Sequence, residues 1–209
     1  MTEILQDRLS EVMGIELLSG GHSQNDKHRM CVMEAVAYIA GEPWTDAPAC
    51  ACPVICAFMQ AWNDSLPDAE RTALLRPLIP RLVGTRSTKE IEVRRSFMAA
   101  DWLVRTHTSA WLRLAGLATQ ADMLATLPEI TGMAQVPSIR GPLEAARSYV
   151  AAARDAAWIA AEAAAVDAAW AAAVDAVGEK LRPVKEQLQA SALALVERMI
   201  AANKDKQCE

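Results

Sequence analysis

The chain has 209 residues, 52% of them hydrophobic and 22% charged, with a formal net charge of -5. That composition describes a soluble globular protein able to bury a substantial core, as one domain or as one domain with a helical arm. The start Met1-Thr-Glu-Ile-Leu-Gln-Asp-Arg8 is acidic and amphipathic and lacks the basic start and apolar block of an export signal, and five cysteines are an odd number scattered partly through apolar runs. Both features point to the cytoplasm and away from a disulfide framework. Charge is uneven: residues 1–70 carry -8, residues 71–113 carry +6 and residues 114–209 carry -3.

A first helix is expected from Glu3 to Leu18, with Ile4, Leu5, Leu9, Val12, Met13 and Leu17 on its apolar face and Gly20-Gly21 as its stop. Arg29 to Ala40 reads as a more deeply buried helix, because Glu34 is the one acid among Met30, Cys31, Val32, Met33, Val36 and Ile39; Gly41 suits its cap. Glu42-Pro-Trp-Thr-Asp-Ala-Pro48 is a connector, and Pro53 opens a helix to about Trp62. Asp68 and Glu70 after Pro67 mark the next start, where acids complement the helix dipole. Pro77 and Pro80 then imply two short pieces ending at Gly84.

Ser87-Thr-Lys-Glu90 fits a capping box for a helix that carries Ile91, Phe97, Met98, Trp102 and Leu103 and breaks near His107. A restart at Thr108 or Ser109 reaches Leu114, and Thr119 caps a short helix to Leu127. Between Ala145 and Val177, 18 of 33 residues are alanine and none is glycine or proline. That stretch strongly favours helix and would span about 50 Å. Charges interrupt it too often for a membrane span. Its apolar stripe includes Trp158, Val166, Trp170 and Val174, spaced so as to stay on one slowly rotating face that seeks a partner. Gly178 and Pro183 are read as the turn into a last helix, Val184 to Ala202, so that the two helices make a hairpin. No stretch alternates with period two. The expectation is an all-α multi-helix bundle, with a core over 1–127, a linker over 128–141 and an alanine-rich helical hairpin over 142–209 that packs on the core or on a partner.

Four strings stand out: Cys31-Val-Met-Glu-Ala-Val-Ala-Tyr-Ile-Ala-Gly-Glu-Pro-Trp44, Trp62-Asn-Asp64, Pro80-Arg-Leu-Val-Gly-Thr-Arg86 and Asp101-Trp-Leu-Val-Arg105. In these the chain resembles a family of bacterial and phage proteins for which no reaction is established. The resemblance covers roughly residues 29–117, implies a bacterial or phage origin, and transfers no functional residues.

Three polar sets are candidates for function. Glu34 in its apolar helix needs a cationic or hydrogen-bonding partner, and with Asp101, Arg105 and His107 it forms the best prospective buried network; Asp101 and Arg105 are four apart and can pair on one helix. Cys31, Cys50, Cys52 and Cys56 could supply thiolates to zinc, although their spacing is not that of a zinc ribbon and their apolar neighbours favour core packing. Arg76, Arg81, Arg86, Arg94 and Arg95 in the basic segment 71–113 could meet nucleic acid or another anionic ligand, but no aromatic residue interleaves before Phe97 and no glycine-rich phosphate cradle is present. No catalytic motif appears, and no cofactor is implied beyond the zinc alternative. The sequence therefore points away from an enzyme and toward a helical interaction or assembly protein, phage- or mobile-element-encoded, that binds another protein or itself and no membrane. The metal-binding and anion-binding readings are the alternatives.

Overall fold

A computed structural model describes residues 3–24, 29–148 and 167–202, with side chains in the last helix described from Leu181 onward. The architecture is all-α. Among the described residues there is no strand, only an isolated bridge between Leu17 and Met30. Helix α1 is Gln6–Val12, α2 Val32–Ile39, α3 Pro53–Ser65 and α4 Asp68–Leu75; a 3-10 turn Arg76–Leu78 leads into α5, Ile79–Leu82. Helix α6, Lys89–Asp101, passes into a π-helical stretch Trp102–Thr108 and then α7, Ser109–Leu114; α8 is Ala118–Ala125. After a 3-10 turn Met133–Gln135, α9 is described over 136–148, and α10 is Asp167–Ala201. No helix among the described residues is long and apolar enough to cross a membrane.

Contacts gather the chain into two compact units, Met1–Ser96 with Val196–Glu209, and Phe97–Leu195. The change of unit thus comes at Ser96, well before the expected linker over 128–141, and much of that linker is the start of α9.

In the first unit α2 is the central element. Seven of its eight residues are buried, and it packs against α1, α3 and α5. Its N-terminus is a capping box in which Cys31 replaces the usual hydroxyl residue: the Cys31 thiol accepts from the Glu34 N–H, and the Glu34 carboxylate accepts from the Cys31 N–H at 2.7 Å. Gly41 ends the helix at φ +73°, a conformation that a side chain would strain, and a Cβ there would also lie 3.2 Å from Leu5. Pro53 occupies the first turn of α3 as expected, and Pro77 and Pro80 give two short helical pieces before Gly84, which has φ +73°.

Helix α1 is shorter than the apolar pattern predicts. Beyond Val12 the backbone groups of the following segment are taken by distant partners: Leu17 N–H donates to Thr72 Oγ1 at 2.9 Å, Leu18 N–H to the Met30 carbonyl at 3.0 Å, and Gly20 N–H to Asp64 at 2.7 Å, while Asn63 Nδ2 donates to the Leu18 carbonyl at 2.9 Å. Tertiary hydrogen bonds here replace the helical ladder. Arg71, whose side chain is 3% exposed, links the same segment to the end of α3 by donating to the Leu17 carbonyl at 3.4 Å and to the Asn63 and Leu66 carbonyls.

In the second unit the π-helical stretch, α7 and α8 pack on one another around Leu112, Ala121, Leu124 and Ala146. The break expected near His107 is absent. The chain instead widens by one residue per turn and continues, with the Thr108 hydroxyl donating to the Leu103 carbonyl at 2.7 Å. The turn expected at Gly178 to Pro183 is absent too, since α10 runs through Pro183 from Asp167 to Ala201. Proline costs a helix interior about 3 kcal/mol, a local penalty that the flanking alanine, leucine, lysine and glutamate residues offset through their helix propensity.

Candidate functional site

The four residues expected to form one polar network divide between the units. Glu34 belongs to the first, where its carboxylate accepts from the His22 N–H at 2.6 Å and the Cys31 N–H at 2.7 Å, with His22 Nδ1 at 3.0 Å. The His22 carbonyl in turn accepts from Trp44 Nε1 at 2.8 Å. The partner of the buried acid is thus a histidine from the segment that follows Gly20-Gly21. A carboxylate three residues after a cap position was the available signal.

Asp101, Arg105 and His107 lie in the second unit at and beyond the end of α6. Asp101 accepts from Arg105 Nη1 at 3.0 Å, the pairing their spacing predicts, and from the Ile130 N–H at 2.9 Å. His107 sits between two indoles, its ring 5.1 Å from Trp102 and 6.2 Å from Trp111. Trp111 Nε1 donates to His107 Nε2 at 3.2 Å, and burial holds the imidazole pKa below its ordinary value, so the neutral acceptor form suits this bond. Trp102 Nε1 donates to Ser191 Oγ at 2.9 Å and ties the π-helical stretch to α10.

Exposed large apolar side chains recur along this part of the chain. Of the eight large hydrophobic residues exposed among the described residues, five fall between 103 and 136: Leu103, Trp111, Met123, Met133 and Val136. Met133 is 71% exposed and Leu103 52%. Leu103, Trp111 and Met123 ride on three elements that pack together, which fixes them on a common framework.

The expected interface residues Trp158 and Val166 lie outside the described residues. Trp170 and Val174 fall within α10, in the part whose side chains lie outside them as well.

The cysteine candidates turn inward, whereas of the arginine candidates only Arg95 is buried. Among the described residues no three His, Cys, Asp or Glu side chains come together as metal ligands, so Cys31, Cys50, Cys52 and Cys56 do not form the thiolate site considered above. All four are buried and free. Burial pushes the thiols of Cys31 and Cys56 up to about 12 and that of Cys50 up to about 11, which leaves almost no thiolate at neutral pH. Iodoacetamide at pH 8 is therefore expected to modify Cys31, Cys50 and Cys56 at least tenfold more slowly in the native protein than in guanidinium, as peptide mass spectrometry would show. Equal rates would contradict their burial.

Each of the five basic candidates is engaged within the fold. Arg76 donates to the Ile15 carbonyl, Arg81 forms a two-pronged ion pair with Glu197, and Arg86 pairs with Glu92 at 3.1 Å. Arg94 has an interaction of its own. Arg95 is fully buried, its Nε donating to the Met199 carbonyl and its Nη1 to the Thr85 carbonyl, both at 2.7 Å. Of these five, Arg95 is sealed inside the first unit and Arg76 is half-buried, whereas Arg81, Arg86 and Arg94 are exposed, with Arg81 and Arg86 each already paired to a carboxylate.

No family model matches the chain, and no curated protein or solved structure does either.

Proposed function

We propose that this chain is a non-enzymatic helical interaction protein of the cytoplasm, bacterial or phage in origin, whose second unit associates with a second copy of the chain through residues between Leu103 and Val136. The observation that carries the reading is the concentration of exposed apolar side chains on that segment. Methionines at 123 and 133 suit such a surface, because an unbranched thioether adapts to an irregular partner. Free, buried thiols fit a reducing compartment. The alanine-rich stripe containing Trp158 and Trp170 is the second candidate surface, and it demands a neighbour for the same physical reason.

The test is light-scattering mass of the full chain over a dilution series. The expected result is a mass above 22.6 kDa at high concentration that falls toward that value on dilution. A double variant Leu103→Asp, Met133→Asp should then remain monomeric throughout, while Trp170→Glu reports separately on the alanine-rich stripe. A wild-type chain that stays monomeric at every concentration refutes self-association. Loss of the assembly only with Trp170→Glu would move the interface to the stripe.

A further inference from the structure

The two indoles that flank His107 are held in different ways. Trp102 donates through Nε1 to Ser191 Oγ, a neutral hydroxyl that accepts at any pH. Trp111 is 39% exposed, and its Nε1 donates to His107 Nε2 at 3.2 Å. An indole N–H can only donate, so this second bond lasts only while His107 Nε2 keeps its lone pair. A proton on Nε2 would set two donors against each other at 3.2 Å. Cation–π attraction does not rescue the arrangement, because Trp111 meets the imidazole edge-on, at 61°, and turns toward it the N–H edge that is the positive side of the indole quadrupole. Trp111, the exposed member of the pair, is the side chain free to yield.

No countercharge holds an imidazolium in that position. On the same stretch Arg105 is paired with Asp101, and Arg113 of α7 is paired with Asp122 of α8. Arg140, Glu144 and Arg147 of α9 and Arg182, Lys185 and Glu186 of α10 are all exposed. Burial is what lowers the His107 pKa, and none of these charges contributes to the shift. The closed pair is therefore complete above about pH 6.5 and is lost as pH falls through the depressed pKa of His107.

We propose that His107 is a proton-operated latch on the apolar surface of the second unit. Neutral, it fixes the Trp111 indole on the framework that indole shares with Leu103 and Met123. Protonated, it releases the indole and leaves a cation within an apolar contact, where an unpaired charge is costly, so that two copies come apart on acidification. The control of assembly rests on the self-association reading given above; the latch itself does not.

The test uses the isotopically labelled full chain. Between pH 7.5 and pH 5.0 the Trp111 indole N–H signal, identified by its loss in Trp111→Phe, is followed alongside the His107 ring protons. Both are expected to move with one midpoint below about pH 6.5. In His107→Gln, whose amide oxygen can accept the same bond but does not titrate, the indole signal should stay in place. In light-scattering dilution series over the same range, the wild-type dissociation constant should rise by about tenfold or more, against no more than about twofold in His107→Gln. An indole signal that ignores His107, or that moves equally in His107→Gln, overturns the latch. Association with the same pH dependence in both proteins overturns its control of assembly. A chain monomeric at every pH removes the self-association reading and that control with it, whereas the latch is then decided by the indole signal alone.

Discussion

Glu34→Gln is expected to destabilise the first unit by about 2 kcal/mol, although glutamine has nearly the same shape. The buried carboxylate receives the His22 and Cys31 N–H groups, and His22 Nδ1 lies 3.0 Å away. With two backbone donors fixed in place, the amide NH2 must confront one of them, so the substitution both loses an acceptor and buries an unpaired donor. Glu34→Ala strands all three groups and leaves a cavity, for an expected loss of about 3–4 kcal/mol. Guanidinium denaturation measures the totals. Amide hydrogen exchange at His22 and Cys31 locates them, because those two amides should lose protection first if the carboxylate is their acceptor. A glutamine variant as stable as wild type, with both amides still protected, would show that these donors are not directed at the carboxylate.

How legible this fold is depends on the range over which each decision is made. Starts and stops made by proline and glycine are local: Pro53 within the first turn of α3, the Pro77 and Pro80 interruptions, and the positive φ of Gly41 and Gly84 follow from backbone restrictions that each residue carries with it. The burial of α2 is legible for a related reason, since an apolar run with one acid has no polar face to offer solvent. The end of α1 is not legible, because Leu17, Leu18 and Gly20 leave the helix for Thr72, Met30 and Asp64, partners that only the folded chain brings near. Pro183 inside α10 misleads in the opposite direction: a strong local rule is overridden by the helix propensity on both sides.

The candidate sites divide along the same line. The Asp101–Arg105 pair is readable from its spacing, whereas the partnership of Glu34 with His22 is tertiary. The same holds for the arginines of the basic segment. Charge counting cannot distinguish Arg81, paired at the surface with Glu197, from Arg95, sealed inside, yet that distinction decides whether a guanidinium is available to a ligand.

Arg95→Ala is expected to cost about 3–5 kcal/mol, among the largest losses of any single substitution in the chain. The Arg95 guanidinium joins the carbonyl of Thr85, which follows α5, to that of Met199, 104 residues beyond Arg95 near the end of α10. Alanine leaves both carbonyls buried without donors and opens a cavity where the long side chain lay. Arg95→Met separates these effects: it restores most of the volume but neither bond, so about 2 kcal/mol of the loss should remain. Removing the buried charge offsets some of this, as Arg95 Nη2 is itself without a partner. The comparison is Arg81→Ala, which breaks an ion pair whose side chains are 45% and 40% exposed and should change stability by no more than about 1 kcal/mol. Chemical denaturation of the three variants, read by a probe in the first unit, decides the matter. If Arg95→Ala proved no more damaging than Arg81→Ala, Arg95 could not be a structural cation, and its place among ligand-binding residues of the basic segment would have to be restored.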